Sequence, residues 1–168
     1  MKSIGDYLES AQSLAPEAFA NEHGQAFLVH HGSRAGFKDS GALKTIVSDA
    51  VTGPETPLNP KRDFVAFGLK FPEGDEPLWL GRSDDNQVAV PDDSVSVVHA
   101  FITHRPDGFF IQDTNSRNGT KVNDTHVPPQ GEGKPVKLES GCRLRLGDVT
   151  LTFLNAGDFQ NLVVRLLG

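Results

Sequence analysis

From Phe64 to Leu154 the chain is a succession of short β-rich runs broken by turn residues, and that spacing leaves few architectures open. The runs are FVAFGLKF, LWLGR, QVAV, HAFITHR, FFIQDT, TKVN, RLRLG and VTLTFL. Between them lie PEGDEP, SDDN, PDDS, RPDG and QGEGK. Glycine supplies the turn angles that side chains resist, proline removes a ladder N–H, and Asp or Asn bonds its own backbone, so each cluster ends a strand. Many short strands at close spacing predict an antiparallel sandwich or barrel. RLRL and VTLTF alternate strictly, the pattern of a strand with one buried face.

The flanks have a different texture. Ile4, Tyr7, Leu8, Ala11 and Leu14 recur at the spacing of one helix face. Ser3 stands at the N-cap position with Asp6 three residues on. Pro16 suits the first turn of a second helix and Gly24 its C′ position. Ala26–Val29 predicts a short strand, residues 32–44 a loop and Thr45–Val51 a further strand. The stretch GPETPLNPKR holds three prolines between Gly53 and Arg62, which predicts a linker or extended arm. After Gly157 the helical period returns through Phe159, Leu162, Val163, Leu166 and Leu167. The expected organisation is an N-terminal extension over residues 1–60, a β-sandwich over 61–154 and a C-terminal helix over 155–168. The extension is expected to pack on the sandwich, because Tyr7, Leu8, Phe19, Phe27 and Leu28 need burial. The competing use is a docking arm that offers Thr52 or Thr56 to a kinase.

Composition excludes several classes of function. A chain of 168 residues can build a core without disulfide staples, and its one cysteine, Cys142, rules out an internal disulfide or a cysteine-cluster metal site. A net charge of −6 argues against sequence-independent binding to nucleic acid. No apolar run approaches the roughly 18 residues of a membrane span, and Asp6 and Glu9 interrupt the start where a signal peptide would be apolar, so a cytoplasmic protein without membrane contact is expected. No phosphate-binding loop, dinucleotide fingerprint, zinc-protease motif or nucleophile elbow is present. No metal or cofactor is expected. His30 and His31 adjoin, but neighbours on a strand face opposite ways. Ser96, His99 and Asp113 are the residue types of a hydrolase triad, without the elbow that would expose the serine. Asn118-Gly-Thr120 and Asn123-Asp-Thr125 match the glycosylation sequon, and with no secretion signal expected both are read as chance matches.

The informative residues run from Gly81 to Asp148. Gly81-Arg82 ends one run and Ser96-Val97-Val98-His99 opens another. Asp113-Thr-Asn-Ser-Arg-Asn118-Gly-Thr120 bridges two more, followed by Val122-Asn123, and Leu146-Gly147-Asp148 precedes the last strand. In this order and register the segments GR, SxxH, DxxSxNGTxVN and LGD resemble the forkhead-associated (FHA) domain, over about 90 of the 168 residues. The resemblance implies an eleven-stranded, mainly β sandwich whose loops at one end bind phosphothreonine in a partner peptide. It implies a non-enzymatic module that recruits or scaffolds a Ser/Thr-kinase substrate, with a kinase itself as a possible partner.

The chemistry of those residues fits such a ligand. A phosphothreonine carries about −1.5 to −2 charge and three strong acceptor oxygens. Arg82 can present a planar donor fork, Ser96 a hydroxyl and Arg117 a second cation, while the carboxamide of Asn118 can clamp an extended backbone. Arg117 could instead face solvent or pair with Asp113. By resemblance, Gly81, His99, Asp113 and Gly119 hold the loops: His99 as a buried brace, Gly119 in a turn conformation other residues resist. Val97 is the departure. Binding members often carry Arg or Asn after the motif serine, and Val97 offers only its backbone N–H, a loss of about 1–3 kcal/mol. The alternative is therefore a degenerate FHA domain working in phosphate-independent assembly, with Val97 and Val98 as an apolar contact spot. The family reads the third residue after the phosphothreonine through loops near 91–98, 106–108 and 124–134. Those loops are acidic or neutral here, so no preference for an acidic residue there is expected.

Overall fold

The computed structural model describes residues 1–31 and 64–168. The expected loop at 32–44, the strand at Thr45–Val51, the proline-rich arm and Thr52 and Thr56 lie outside the described residues. Twelve strands are present among those described: β1 (Lys2–Ser3), β2 (Ala26–His31), β3 (Phe64–Leu69), β4 (Leu78–Gly81), β5 (Val88–Ala89), β6 (Ala100–Arg105), β7 (Gly108–Asp113), β8 (Thr120–Val122), β9 (Thr125–His126), β10 (Val136–Leu138), β11 (Arg143–Leu146) and β12 (Val149–Asn155). The helices are α1 (Leu8–Ser13), α2 (Pro16–His23) and α3 (Ala156–Leu167). Among the described residues no helix is long and apolar enough to cross a membrane.

The strands form two sheets. One runs β1-β3-β2-β12-β11-β8-β9, the other β10-β7-β6-β4-β5. All pairs are antiparallel except β4 with β5. The turn-separated runs of the sequence all became strands. The three unforeseen strands, β1, β9 and β10, are two or three residues long, too short to show a period.

The position of β2 explains its composition. It hydrogen-bonds to β3 on one side and β12 on the other, with Leu28 opposite Phe67 and Phe153. Ala26 and Leu28 join the core between the sheets, while Phe27 and Val29 join a second apolar cluster on the outer face. A strand buried on both faces reads as a continuous apolar run, and AFLV is one. β12 follows suit at the same end. VTLTF alternates in sequence, but Thr152 is 4% exposed rather than solvated. The helices cover the outer face of this sheet, so the one-face burial expected of VTLTF does not hold there.

The helical cap assembles from both termini. The first turn is tighter than expected: Ile4–Tyr7 is a 3-10 turn, and α1 proper begins at Leu8. Ser3 caps that turn with Asp6 completing a capping box. Pro16 opens α2. α3 starts at Ala156, and Asn155 caps it by accepting the Asp158 N–H at 2.8 Å. Phe27 stacks on Phe159 with ring centroids 3.9 Å apart, and Tyr7 meets both edge-on at 5.7 and 5.1 Å. Burial pushes the Tyr7 hydroxyl up to about 12, with Asp6 adding to the shift. The Gln160 amide donates to Ala11 O and Leu14 O at 3.0 and 2.8 Å, tying α3 to the end of α1 and satisfying a buried polar group. Within residues 1–31, Tyr7, Phe19, Phe27 and Leu28 are buried and Leu8 is partly so, as their apolar character demands.

Candidate functional site

At one end of the sandwich four connections meet: those after β4, before β6, between β7 and β8, and between β11 and β12. Ser96 is where they converge. The Arg82 N–H donates to Ser96 O at 2.9 Å, and the Arg117 N–H donates to Ser96 Oγ at 3.0 Å. The hydroxyl of Ser96 accepts that bond and keeps its own proton to donate outward. Arg82 and Arg117 are both exposed. Arg117 makes no ion pair with Asp113, whose carboxylate is already engaged.

Below these residues lies a polar frame. His99 is fully buried. The Ser96 N–H donates to its Nδ1 at 3.0 Å, so Nδ1 is unprotonated and Nε2–H donates to Gly119 O at 2.9 Å. Burial holds the imidazole below its ordinary pKa, against smaller opposing contributions from Gly119 and Asp113. A neutral ring with both nitrogens committed to backbone is a brace. It offers nothing to the Ser96 hydroxyl, so the three residues do not form a catalytic triad. Asp113, 2% exposed, accepts from Ser116 N and Oγ at 2.9 and 2.5 Å and from Thr120 Oγ1 at 2.7 Å. Gly119 has φ +82°, a conformation that favours glycine. At Gly81 an added Cβ would collide with the carbonyl of Val97, so the two backbones approach closely only because no side chain intervenes.

Several supports were not legible in advance. Ser94 receives Asn118 Nδ2 on its carbonyl at 2.8 Å and Asp148 N–H on its hydroxyl at 2.9 Å, and its hydroxyl donates to Asp92 at 2.6 Å. Asn118 therefore spends one amide hydrogen on the scaffold, and its Oδ1 makes no hydrogen bond among the described residues. Asn86, also buried, holds Val97 O at 2.7 Å and Ser83 O at 2.9 Å. Both Ser94 and Asn86 sit in stretches that read simply as turns. Val97 and Val98 are 53% and 46% exposed beside the site. His30 is buried in β2, and among the described residues no group of His, Cys, Asp and Glu could hold a metal.

The FHA domain profile matches residues 78–147, a stretch that contains these loop residues up to Gly147 and stops one short of Asp148. Over that stretch the chain carries an FHA domain match. FHA domains are binding modules. The FHA domain-containing protein FhaB of Mycolicibacterium smegmatis is 29% identical over 84 residues, which is 50% of this chain and 51% of that protein. The chain thus spans about half the length of the curated relatives it matches. A structure from work on phosphothreonine-dependent FHA domain interactions is 22% identical, with TM-score 0.48, covering 77% of this chain and 95% of the other. Mycobacterium tuberculosis EmbR, solved with a low-affinity phosphopeptide, is 28% identical with TM-score 0.42, over 47% of this chain and 20% of that one.

Proposed function

We propose that this FHA domain binds phosphothreonine in an extended segment of a partner protein, and so recruits that partner after a Ser/Thr kinase has modified it. The carrying observation is the convergence on Ser96. Two exposed guanidinium-bearing residues are tied through their own N–H groups to one serine whose hydroxyl proton is uncommitted. Two cations match the charge of a phosphothreonine, and charge-assisted bonds are worth about 1.5–3 kcal/mol each. The Val97 N–H, without a partner among the described residues, supplies one further donor. Asn118 Oδ1 can accept from the peptide backbone. His99, Asp113 and Asn86 pre-organise the donors, so little ordering cost falls on binding.

The test is fluorescence anisotropy with a degenerate phosphothreonine peptide library, wild type beside Arg82→Ala. Micromolar binding that needs the phosphate and drops at least about tenfold in the variant is expected, since one charge-assisted bond is lost. Equal binding to dephosphorylated peptide overturns the reading. The exposed Val97-Val98 pair favours a second use, phosphate-independent assembly. Self-association or pull-down that survives Arg82→Ala and is lost in Val97→Asp would establish it.

A further inference from the structure

Beside Asn118 the outer face of the larger sheet carries cations that no loop contributes. Lys121 on β8 and Arg145 on β11 are directly paired across the antiparallel ladder, and both are exposed. Like charges placed opposite each other are unfavourable in a sheet. His126 on β9 pairs with Lys121 from the other side, and its ring lies against Gly119. Arg145 is partly neutralised: its Nε donates to Gly147 O at 2.9 Å and its guanidinium lies 3.6 Å from Asp148. Lys121 has no partner among the described residues. Asn118, Gly119, Lys121, Arg145, Gly147 and Asp148 line an open pocket of about 250 Å³. With two cations and one carboxylate in its wall, it is net positive in a chain of net charge −6.

We infer that this pocket takes the carboxylate of an Asp or Glu flanking the phosphothreonine in the bound segment, held by Lys121 and Arg145. The inference rests on the phosphothreonine reading above. Arg117 touches Ser96 and Asn118 lines the pocket, so the two sites adjoin. An extended peptide advances about 3.3 Å per residue and passes from one to the other within a few residues. The loops near 91–98, 106–108 and 124–134 gave no reason to expect an acidic preference. The cations that create one stand on strands, where the ladder register brings Lys121 and Arg145 together from positions 24 residues apart in sequence.

The experiment scans each position on both sides of phosphothreonine with Asp, Glu, Ala and Lys, reading anisotropy for wild type, Lys121→Glu and Lys121→Arg. Lys121 is exposed, so neither change threatens the fold. Wild type is expected to favour the acidic peptide at one flanking position by about three- to tenfold, the size of one or two ion pairs at a half-open site. Lys121→Glu should abolish that preference while leaving the affinity for the alanine phosphopeptide within about twofold, and Lys121→Arg should retain it. The preference should shrink at high salt. Phosphopeptide binding with no acidic preference, or a preference unmoved in Lys121→Glu, overturns this inference and leaves the phosphothreonine reading standing. Absence of binding to every phosphopeptide overturns both.

Discussion

Two regions of this molecule are held together by opposite chemistry. Where the termini meet, Tyr7, Phe19, Phe27 and Phe159 pack ring against ring, and Gln160 ties α3 to α1. Where the loops meet, the buried groups are polar: His99, Asp113, Thr120 and Asn86, each with its hydrogen-bond partners. Apolar packing is tolerant of direction and stabilises in proportion to area. A hydrogen-bonded frame is directional, and it fixes where a donor points. A surface that must present several donors to one small anion needs the second kind, and the first kind supplies stability elsewhere.

The comparison breaks most visibly at the aromatic cluster. Phe159→Ala should cost about 3–5 kcal/mol in urea or thermal unfolding, as large core truncations do. Phosphopeptide affinity, measured where the variant is still folded, should stay within about twofold. A large loss of affinity in folded protein would show that the two regions are coupled rather than separate.

His99→Ala is the counterpart. It leaves the Ser96 N–H and Gly119 O without partners, at about 1–3 kcal/mol for each buried group. Here affinity should fall along with stability, because Ser96 and Gly119 lose their common brace. Gly81→Ala should act on the same end at smaller cost, about 1–3 kcal/mol for a forced overpacking. The added methyl would press on Val97 O and separate Arg82 from Ser96, so the binding loss should exceed what the stability loss explains.

Titration sharpens the contrast further. His99 is held neutral in the fold, its pKa below the unfolded value of 6.5. The unfolded chain therefore binds the extra proton first. The contribution of His99 is fully present above about pH 6.5 and is lost as pH falls below it. Urea midpoints measured from pH 7.5 down to 5.5 should decline in wild type, with a shallower slope in His99→Gln. The same slope in both would place the dependence elsewhere, for example at His23, whose pKa burial also lowers. Smallest in stability is Arg82→Ala, within about 0.5 kcal/mol for an exposed side chain. Its effect should be seen in phosphopeptide affinity.

Much of this was legible in the residues. From β3 onward, all the strands except the short β9 and β10 followed from turn chemistry, since Gly, Pro and Asp clusters end strands whatever surrounds them. Ser3, Pro16 and the period after Gly157 marked helix ends and a helix face because capping and amphipathicity are local properties. The resemblance carried by Arg82, Ser96, His99, Asp113 and Asn118 pointed to residues that the fold gathers at one end of the sandwich. What only the tertiary structure decided were relations across distance. Nothing in AFLV says that it lies between β3 and β12, or in VTLTF that helices cover its second face. Ser94 and Asn86 look like turn residues until four loops are folded against them. Lys121 and Arg145 become neighbours through strand register, which is set by the pairing of whole strands. Local signals follow from the conformational preferences of single residues, whereas a site's shape and charge follow from which distant segments the core brings into contact.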